Sequence, residues 1–314
     1  MRSDSTVSVV IPAYNSEESL PILVPRLKAV LEQQGAAFEV ILVNDGSRDG
    51  SWKVIQALAA RYPFTRGINL MRNYGQHNAL LAGIRVARYS AVVTIDDDLQ
   101  NPPEEIPKLL AKLNEGFDVV YGKPNVGQHG LYRNLASRIT KLALAGAAGA
   151  ETASDASAFR AFLTECRGGF ASYMGPYVSV DVLLTWSASR FGSVTVQHDA
   201  RTMGTSAYTF RKLVRHAMNM MTGFSTVPLQ LASITGFAFT TFGILILLYV
   251  LIRYFLQGTS VPGFPFLASI IAIFSGAQLF ALGIIGEYLA RMHSRMMDRP
   301  PYVVRSDTAE SNQR

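Results

Sequence analysis

No Asp, Glu, Lys or Arg stands between Arg215 and Arg253, and none between Arg253 and Glu287. A surface helix of a soluble domain needs a polar face, so gaps this long leave the chain few environments in which to fold. Inside them, Leu229 to Ile252 is 24 residues and Phe264 to Gly286 is 23. As helices, each runs about 35 Å, enough for a hydrocarbon core of about 30 Å. Two membrane spans are predicted, joined by the uncharged turn from Gln257 to Gly263. A buried hairpin in a soluble protein is the competing reading, disfavoured because core helices rarely exceed about 20 residues without a charge.

The flanks set an orientation. Arg201, Arg211, Lys212 and Arg215 precede the first span and Arg291, Arg295 and Arg299 follow the second, while the turn carries no positive charge. Positive residues stay on the cytoplasmic side, so both ends are expected there. The apolar run Val7 to Pro12 is too short for a signal peptide, which leaves the first 200 residues in the cytosol. The reading is a multi-pass membrane protein with its large N-terminal domain in the cytosol.

Composition narrows the classes further. Charged residues are 17% against about 25% in a typical soluble domain, and hydrophobic residues are 49%, which excludes disorder. The single cysteine, Cys166, excludes an internal disulfide and any cysteine-based zinc module. A net charge of +6 suits an anionic partner such as lipid headgroups or a nucleotide. Nucleic acid is not expected, because much of the excess flanks the spans.

Before the spans, short β-branched runs alternate with helical patterns, the signature of a mostly parallel α/β sheet. Strands are predicted at Val7 to Ile11, Phe38 to Val43, Thr65 to Asn69, Ala91 to Ile95 and Asp118 to Tyr121. Helices fall between them at Glu17 to Gln34, Ser51 to Arg61, Gln76 to Ala87 and Glu104 to Asn114. The unit is Rossmann-like, and its polar clusters follow strand ends, where open α/β sheets bind ligands. Expected boundaries are 1–200 for this domain, 201–227 for a juxtamembrane amphipathic helix, 228–292 for the two-helix transmembrane hairpin and 293–314 for a cytosolic tail.

The run Asp96-Asp97-Asp98-Leu99-Gln100 carries the most chemistry. Alternation along an extended segment would point Asp96, Asp98 and Gln100 one way, an oxygen set suited to Mg2+ or Mn2+. Helix capping is the competing use, but Asn101 already fits an N-cap, Pro102 the first helical position and Glu104 the third. Asn15 with Glu18 fits a second capping box, and Ser47 to Gly50 fits a turn into a helix. Asp45 follows a wholly apolar strand and is a candidate acceptor for a base or ribose. Arg72 suits either a phosphate or an ordinary helix entrance. His77 reads as a packed or surface histidine.

Together, Val9 to Asn15, Asn44-Asp45-Gly46-Ser47, Arg72 to His77, Asp96 to Glu105, Asp155 to Arg160, Arg201 to Leu213 and Gly286-Glu287-Tyr288 resemble family 2 glycosyltransferases of the GT-A fold. The likeness is to their polyprenyl-phosphate branch, which includes dolichyl-phosphate mannose synthase and the GtrB and ArnC types. That resemblance implies inverting, metal-dependent transfer from a nucleotide sugar, UDP-linked by preference, to a polyprenyl phosphate of the undecaprenyl type. The product would serve envelope glycan or lipid modification, and a homo-oligomer is implied. It also implies nucleotide contacts at Pro12, Tyr14, Asn15, Glu17, Asp45, Arg72, Asp96 and Asp97, and metal contacts at Asp96, Asp98 and Gln100. Asp155, Asp98 and Arg160 inherit catalytic roles, and Arg133, Arg201, Ser206, Arg211 and Lys212 the acceptor phosphate. The chain departs from the family pattern at Ser16, where Glu is usual, at Asp97, where Ala is usual, at Ser157, Thr205 and Ala207, and at Lys123, which replaces an Arg.

The chemistry is reasonable on its own terms. A phosphate monoester has a second pKa of about 6, so the acceptor is already a nucleophile at neutral pH and requires no strong base. Asp155 then orients the sugar or acceptor, with general base as the alternative. A helix beginning near Tyr208 would lay Leu213, Met220 and Phe224 toward lipid and hold Arg211 and Lys212 at headgroup depth. A processive polysaccharide synthase would need more spans and a Gln-x-x-Arg-Trp motif, in which neither Trp52 nor Trp186 sits. A non-enzymatic scaffold or flippase component would need neither Asp45 nor the aspartate cluster.

Overall fold

A computed structural model describes residues 6–124, 156–175, 178–199, 227–257 and 263–311. The α/β pattern is realised as a single mixed sheet with strand order β7-β5-β6-β4-β1-β2-β3-β8. Its parallel centre is β1 (Val7–Ala13), β2 (Phe38–Asn44), β3 (Thr65–Leu70) and β4 (Ala91–Thr94). The crossovers are α1 (Leu20–Gln33), α2 (Ser51–Arg61) and α3 (Gln76–Val86). After β4 the chain passes through a 3-10 turn, Pro103–Glu105, into α4 (Ile106–Asn114) and then β5 (Val119–Pro124).

Side chains alternate across the strands and so build a core on each face of the sheet. Val9, Ile11, Val40 and Leu42 pack beneath α1, α2 and α4 through Leu23, Leu27, Ile55 and Leu109. Val10, Ile41 and Val43 face the other way, onto α3 and its buried Leu80, Leu81 and Ile84. The helix at Val180–Thr185 (α5) completes that second layer with Val180, Leu183 and Leu184.

Three further strands have no clear signal in the sequence. β6 (Arg160–Leu163) runs antiparallel between β4 and β5, and β7 (Phe191–Val196) runs parallel to β5 at the sheet edge. β6 is only four residues long and opens on an arginine. That arginine is buried, with Nε donating to Thr94 Oγ1 at 3.1 Å and Nη1 paired with Asp181. A charge placed in a sheet centre needs such partners, and the partner lies too far along the chain to be read from spacing.

The apolar stretches form α6 (Val227–Gln257) and α7 (Phe264–Met296), and both contain windows long and apolar enough to cross a membrane. The predicted spans lie inside these helices. α7 continues past Gly286 through Arg291 and Arg295, with Arg291 paired to Glu287 at 2.6 Å one turn earlier. The two helices meet where Phe239 and Phe274 pack edge to face at 5.7 Å. Both windows lie unburied within the chain, as expected of lipid-facing helices rather than a soluble core.

Beyond α7 the chain returns to the sheet. β8 (Val304–Asp307) adds antiparallel to β3, and a short helix, α8 (Thr308–Ser311), follows. Asp307 accepts a bidentate pair from Arg66, with Nη2 at 2.5 Å, and Thr308 Oγ1 accepts the Gly67 N–H at 2.9 Å. Met71 N–H donates to Val303 O at 2.9 Å, and the Arg85 guanidinium lies over the Tyr302 ring. Eight peptide steps from Met296 to Val304 reach at most about 28 Å, so the end of α7 cannot lie farther than that from the β3 edge.

Replacing Asp307 by Ala strands the partly buried Arg66 guanidinium. The expected loss is about 1–3 kcal/mol. It should appear as faster amide exchange across residues 303–308, with the central strands unaffected.

Candidate active site

Four parallel strands end at one edge of the sheet, and their loops close on one another in a circuit. From β1, Asn15 turns left-handed at φ 56° and its N–H donates to Ser47 Oγ at 3.0 Å, while its Oδ1 accepts the Arg48 N–H at 3.0 Å. Ser16 N–H donates to Ser51 Oγ at 2.7 Å, and Glu17 Oε2 accepts the Gly50 N–H at 2.8 Å. The β1 and β2 loops are thereby joined. From β2, the buried Asp45 accepts the Tyr74 and Gly75 N–H groups at 2.7 and 2.8 Å, which joins the β3 loop. Gly46 makes this approach possible, since at φ 64° a Cβ there would lie 2.5 Å from the Arg72 and Asn73 backbone. Gln76 Nε2 then donates to Asp96 Oδ1 at 2.6 Å, and Ser16 Oγ donates to Asp97, which closes the circuit through β4.

Several expectations change in this geometry. Residues 97–99 form a turn with Leu99 at φ 60°, so strand alternation does not govern where the aspartates point. Asp96 faces Gln76, Asp97 faces Ser16, and Asp98 Oδ1 accepts the Gln100 N–H at 3.2 Å. Asn101 does not cap a helix. It meets His198 Nδ1 at 3.2 Å, and the 3-10 turn starts after Pro102. Asn15 and Glu18 form no capping box either, because α1 begins at Leu20 and Asn15 is engaged by the β2 loop. Ser47 to Gly50 does lead into α2, with Asp49 Oδ1 accepting both the N–H and the hydroxyl of Ser51.

Of the expected site residues, Pro12, Tyr14, Asn15, Glu17, Asp45, Arg72, Asp96, Asp97, Asp98 and Gln100 all lie on or beside this rim. Tyr14 and Arg72 are exposed, the latter stacked over the Tyr74 ring at 4.8 Å. Arg160 is the outlier, since its guanidinium lies in the sheet between Thr94 and Asp181 rather than on the rim. His77 accepts the Val180 N–H through Nδ1 at 3.3 Å, a packing role. Asp155, Arg133, Arg201, Ser206, Arg211 and Lys212 lie outside the described residues. The reading of single motifs missed Ser16, Ser51 and Gln76 as linking residues. Their only sequence signal is a polar side chain between a strand and the next helix, or at that helix's first residue.

Electrostatics mark the β4 end. Burial pushes the Asp96 carboxyl up to about 7, and the neighbouring Asp98 and Asp97 push the same way, against Arg160 and Gln76. Burial also raises Asp97 and Asp45, opposed in each case by the hydrogen bonds they accept. Among the described residues no three His, Cys, Asp or Glu side chains converge as an all-protein metal cage. A Mg2+-type ion is typically held by one or two carboxylates plus substrate phosphates, and Asp96 and Asp98 are the carboxylates here that could serve as such a pair. Their mutual repulsion is the kind that a divalent cation relieves.

Residues 8–163 match the model for glycosyl transferase family 2. The undecaprenyl-phosphate 4-deoxy-4-formamido-L-arabinose transferase of Shewanella sediminis is 37% identical over 302 residues, covering 95% of this chain and 91% of that protein. The chain belongs to glycosyl transferase family 2. A second transferase of the same name, from Yersinia enterocolitica, is 35% identical over 98% of this chain and 96% of its own length. Among solved structures, glucosyl-3-phosphoglycerate synthase from Mycobacterium tuberculosis, crystallised with Mn2+, UDP and phosphoglyceric acid, superposes with a TM-score of 0.50. It has 21% identity over 69% of this chain and 76% of that one, a likeness of fold. This family 2 protein is thus a glycosyltransferase with the GT-A fold, followed by two apolar helices suited to a transmembrane hairpin.

Two substitutions separate the roles assigned to the rim. Asp98→Ala should abolish metal-dependent nucleotide binding while leaving stability within about 0.5 kcal/mol, the usual range for a surface carboxylate. Asp45→Ala should instead cost stability, about 1–3 kcal/mol for each stranded backbone donor. Paired calorimetry and denaturant titration of the two variants check this.

Proposed function

We propose that this chain transfers a single sugar from a nucleotide sugar, UDP-linked by preference, to a polyprenyl phosphate of the undecaprenyl type. Transfer proceeds with inversion at the cytoplasmic face of a bacterial inner membrane, and the lipid-linked monosaccharide serves envelope glycan or lipid modification. One observation carries this reading. The strand that follows α7, β8, pairs with β3 in the sheet that bears the carboxylate rim, so a short connection tethers that sheet to a helix apolar enough to cross a membrane. The relatives' names, which specify undecaprenyl phosphate, support the acceptor class.

The chain's own residues have distinct tasks in this reading. The rim circuit fixes Tyr14, Asn15 and Glu17 against the β2 loop and so sets the wall where a nucleotide lies. Asp45 holds the β3 loop and with it the exposed Arg72, a guanidinium suited to a diphosphate oxygen. Asp96 and Asp98 hold Mg2+ or Mn2+, which when bound neutralises charge on the diphosphate as it leaves. The acceptor phosphate is dianionic at neutral pH and attacks without a strong base. Asp155 orients the sugar or acceptor for that attack. Arg201, Arg211 and Lys212, with Arg133 and Ser206, receive the acceptor phosphate, where fixed positive charge offsets the approach of two anions.

The direct test offers purified protein, Mg2+ or Mn2+, and polyprenyl phosphate a panel of nucleotide sugars, identifies the lipid product by mass and reads its anomeric configuration by NMR. Formation of a polyprenyl-phosphate monosaccharide with inverted anomeric configuration is expected. Absence of any product, or growth of a polymer, would reject the reading.

Acceptor binding should separate from donor binding. Arg201→Ala and Arg211→Ala are expected to raise the apparent KM for polyprenyl phosphate or lower kcat with nucleotide affinity nearly unchanged, and Lys to restore only part. The planar fork of Arg grips phosphate in a way a point charge does not. Full recovery with Lys would mean diffuse attraction to lipid, worth about 1 kcal/mol per charge.

Orientation is tested by thiol labelling with Cys166 replaced. A cysteine at Ser260 should react from outside intact cells, and one at Met297, exposed just beyond α7, only after permeabilisation.

A further inference from the structure

The three adjacent aspartates do not share a task. Asp96 is engaged by Gln76 from the β3 loop, and Asp98 turns back onto the Gln100 N–H. Asp97 reaches across to the β1 loop, where it accepts the Ser16 hydroxyl. Ser16 is buried, at 4% exposure, and is held from the other side, since its N–H donates to Ser51 Oγ of the β2 loop. It therefore bridges the second and fourth strand ends through one residue of the first loop. Its neighbours Tyr14, Asn15 and Glu17 are the residues expected along the nucleotide.

We propose that Ser16 and Asp97 form one interdependent positioning unit, which holds the β1 loop in register with the metal-binding aspartates, and that Asp97 is neither a metal ligand nor a nucleotide ligand. Each member constrains the other. A glutamate at position 16 would bring a second carboxylate against Asp97 in a half-buried setting, where like charges repel strongly. An alanine at position 97 would leave the buried Ser16 hydroxyl without this acceptor. A carboxylate at one of the two positions therefore suits a small or polar residue at the other.

The kinetic arm of the test rests on the glycosyltransferase reading above, and the exchange arm does not. The full-length protein in detergent micelles is compared with Asp97→Ala, Asp97→Asn, Ser16→Glu, Ser16→Glu/Asp97→Ala and Asp98→Ala. Asp97→Ala should raise hydrogen exchange at the Ser16 amide by about tenfold or more, because Ser16 is then held from the Ser51 side only. Asp98→Ala should leave that amide unchanged. In turnover, Asp97→Ala and Ser16→Glu should each raise the donor KM by about tenfold, and the double variant should recover most of that loss, since contacting residues are non-additive. Asp97→Asn, which retains an oxygen for the Ser16 hydroxyl, should lose much less than Asp97→Ala.

Additive losses in the double variant would overturn the proposal. So would an Asp97→Asn variant as impaired as Asp97→Ala with metal dependence lost as in Asp98→Ala, because Asp97 would then be a ligand. An unchanged Ser16 amide in Asp97→Ala overturns it independently of turnover. If no nucleotide sugar reacts with the unmodified protein, the reaction assignment fails while the exchange result still decides the pair.

Discussion

Four parallel strands that end together leave a row of loops whose backbone donors no sheet partner can satisfy. That constraint organises the molecule. Each loop meets it with a polar side chain from its neighbour, so Ser47 and Ser51 serve the first loop, Asp45 the third, and Asp97 reaches back to the first. The result is a rim in which loops are rigid because they are mutually bonded. A nucleotide approaching this edge meets donors and carboxylates already fixed in place, and such preorganisation reduces the ordering cost of binding. The same rim buries Asp96 at the end of β4, and burial first, then the neighbouring Asp98 and Asp97, push its carboxyl up to about 7.

Much of the fold was legible because apolar periodicity reports burial. β1 to β5 and α1 to α4 were readable to within a few residues, since their strands are buried on both faces and their helices carry single apolar stripes. β6, β7 and β8 were not legible for a common reason. β6 opens on the buried Arg160, β7 is a half-covered edge, and β8 carries Arg305 and Asp307 through a strand bonded on one side. Their stability comes from partners distant in sequence, which periodicity does not encode.

The site was legible at the level of residue type and position, and less so at the level of contacts. Placing Asp45 and the Asp96 to Asp98 run past strand ends required only the sheet rule. The directions of those aspartates depended on the left-handed Leu99, a backbone choice that an alternating pattern does not foresee. Asn101 illustrates the same limit. Its sequence context matches an N-cap, yet His198 from the end of β7 engages it, and the Asp199 N–H donates to Gln100 O beside it. Tertiary partners displaced the local motif, as they often do for short polar side chains.

The return of β8 means that the catalytic unit is not contiguous in the chain. Its last strand lies beyond the two apolar helices, so cutting the chain near residue 200 to obtain a water-soluble enzyme removes an edge strand along with the membrane anchor. β3 would then present Ile68 and Leu70 backbone groups to solvent, and Arg66 would lose its carboxylate. An open, apolar edge of that kind is a template for sheet-to-sheet aggregation. A soluble version of this domain is better made by linking residues 199 and 303 across the missing helices, so that the strand which belongs to the sheet stays attached to it.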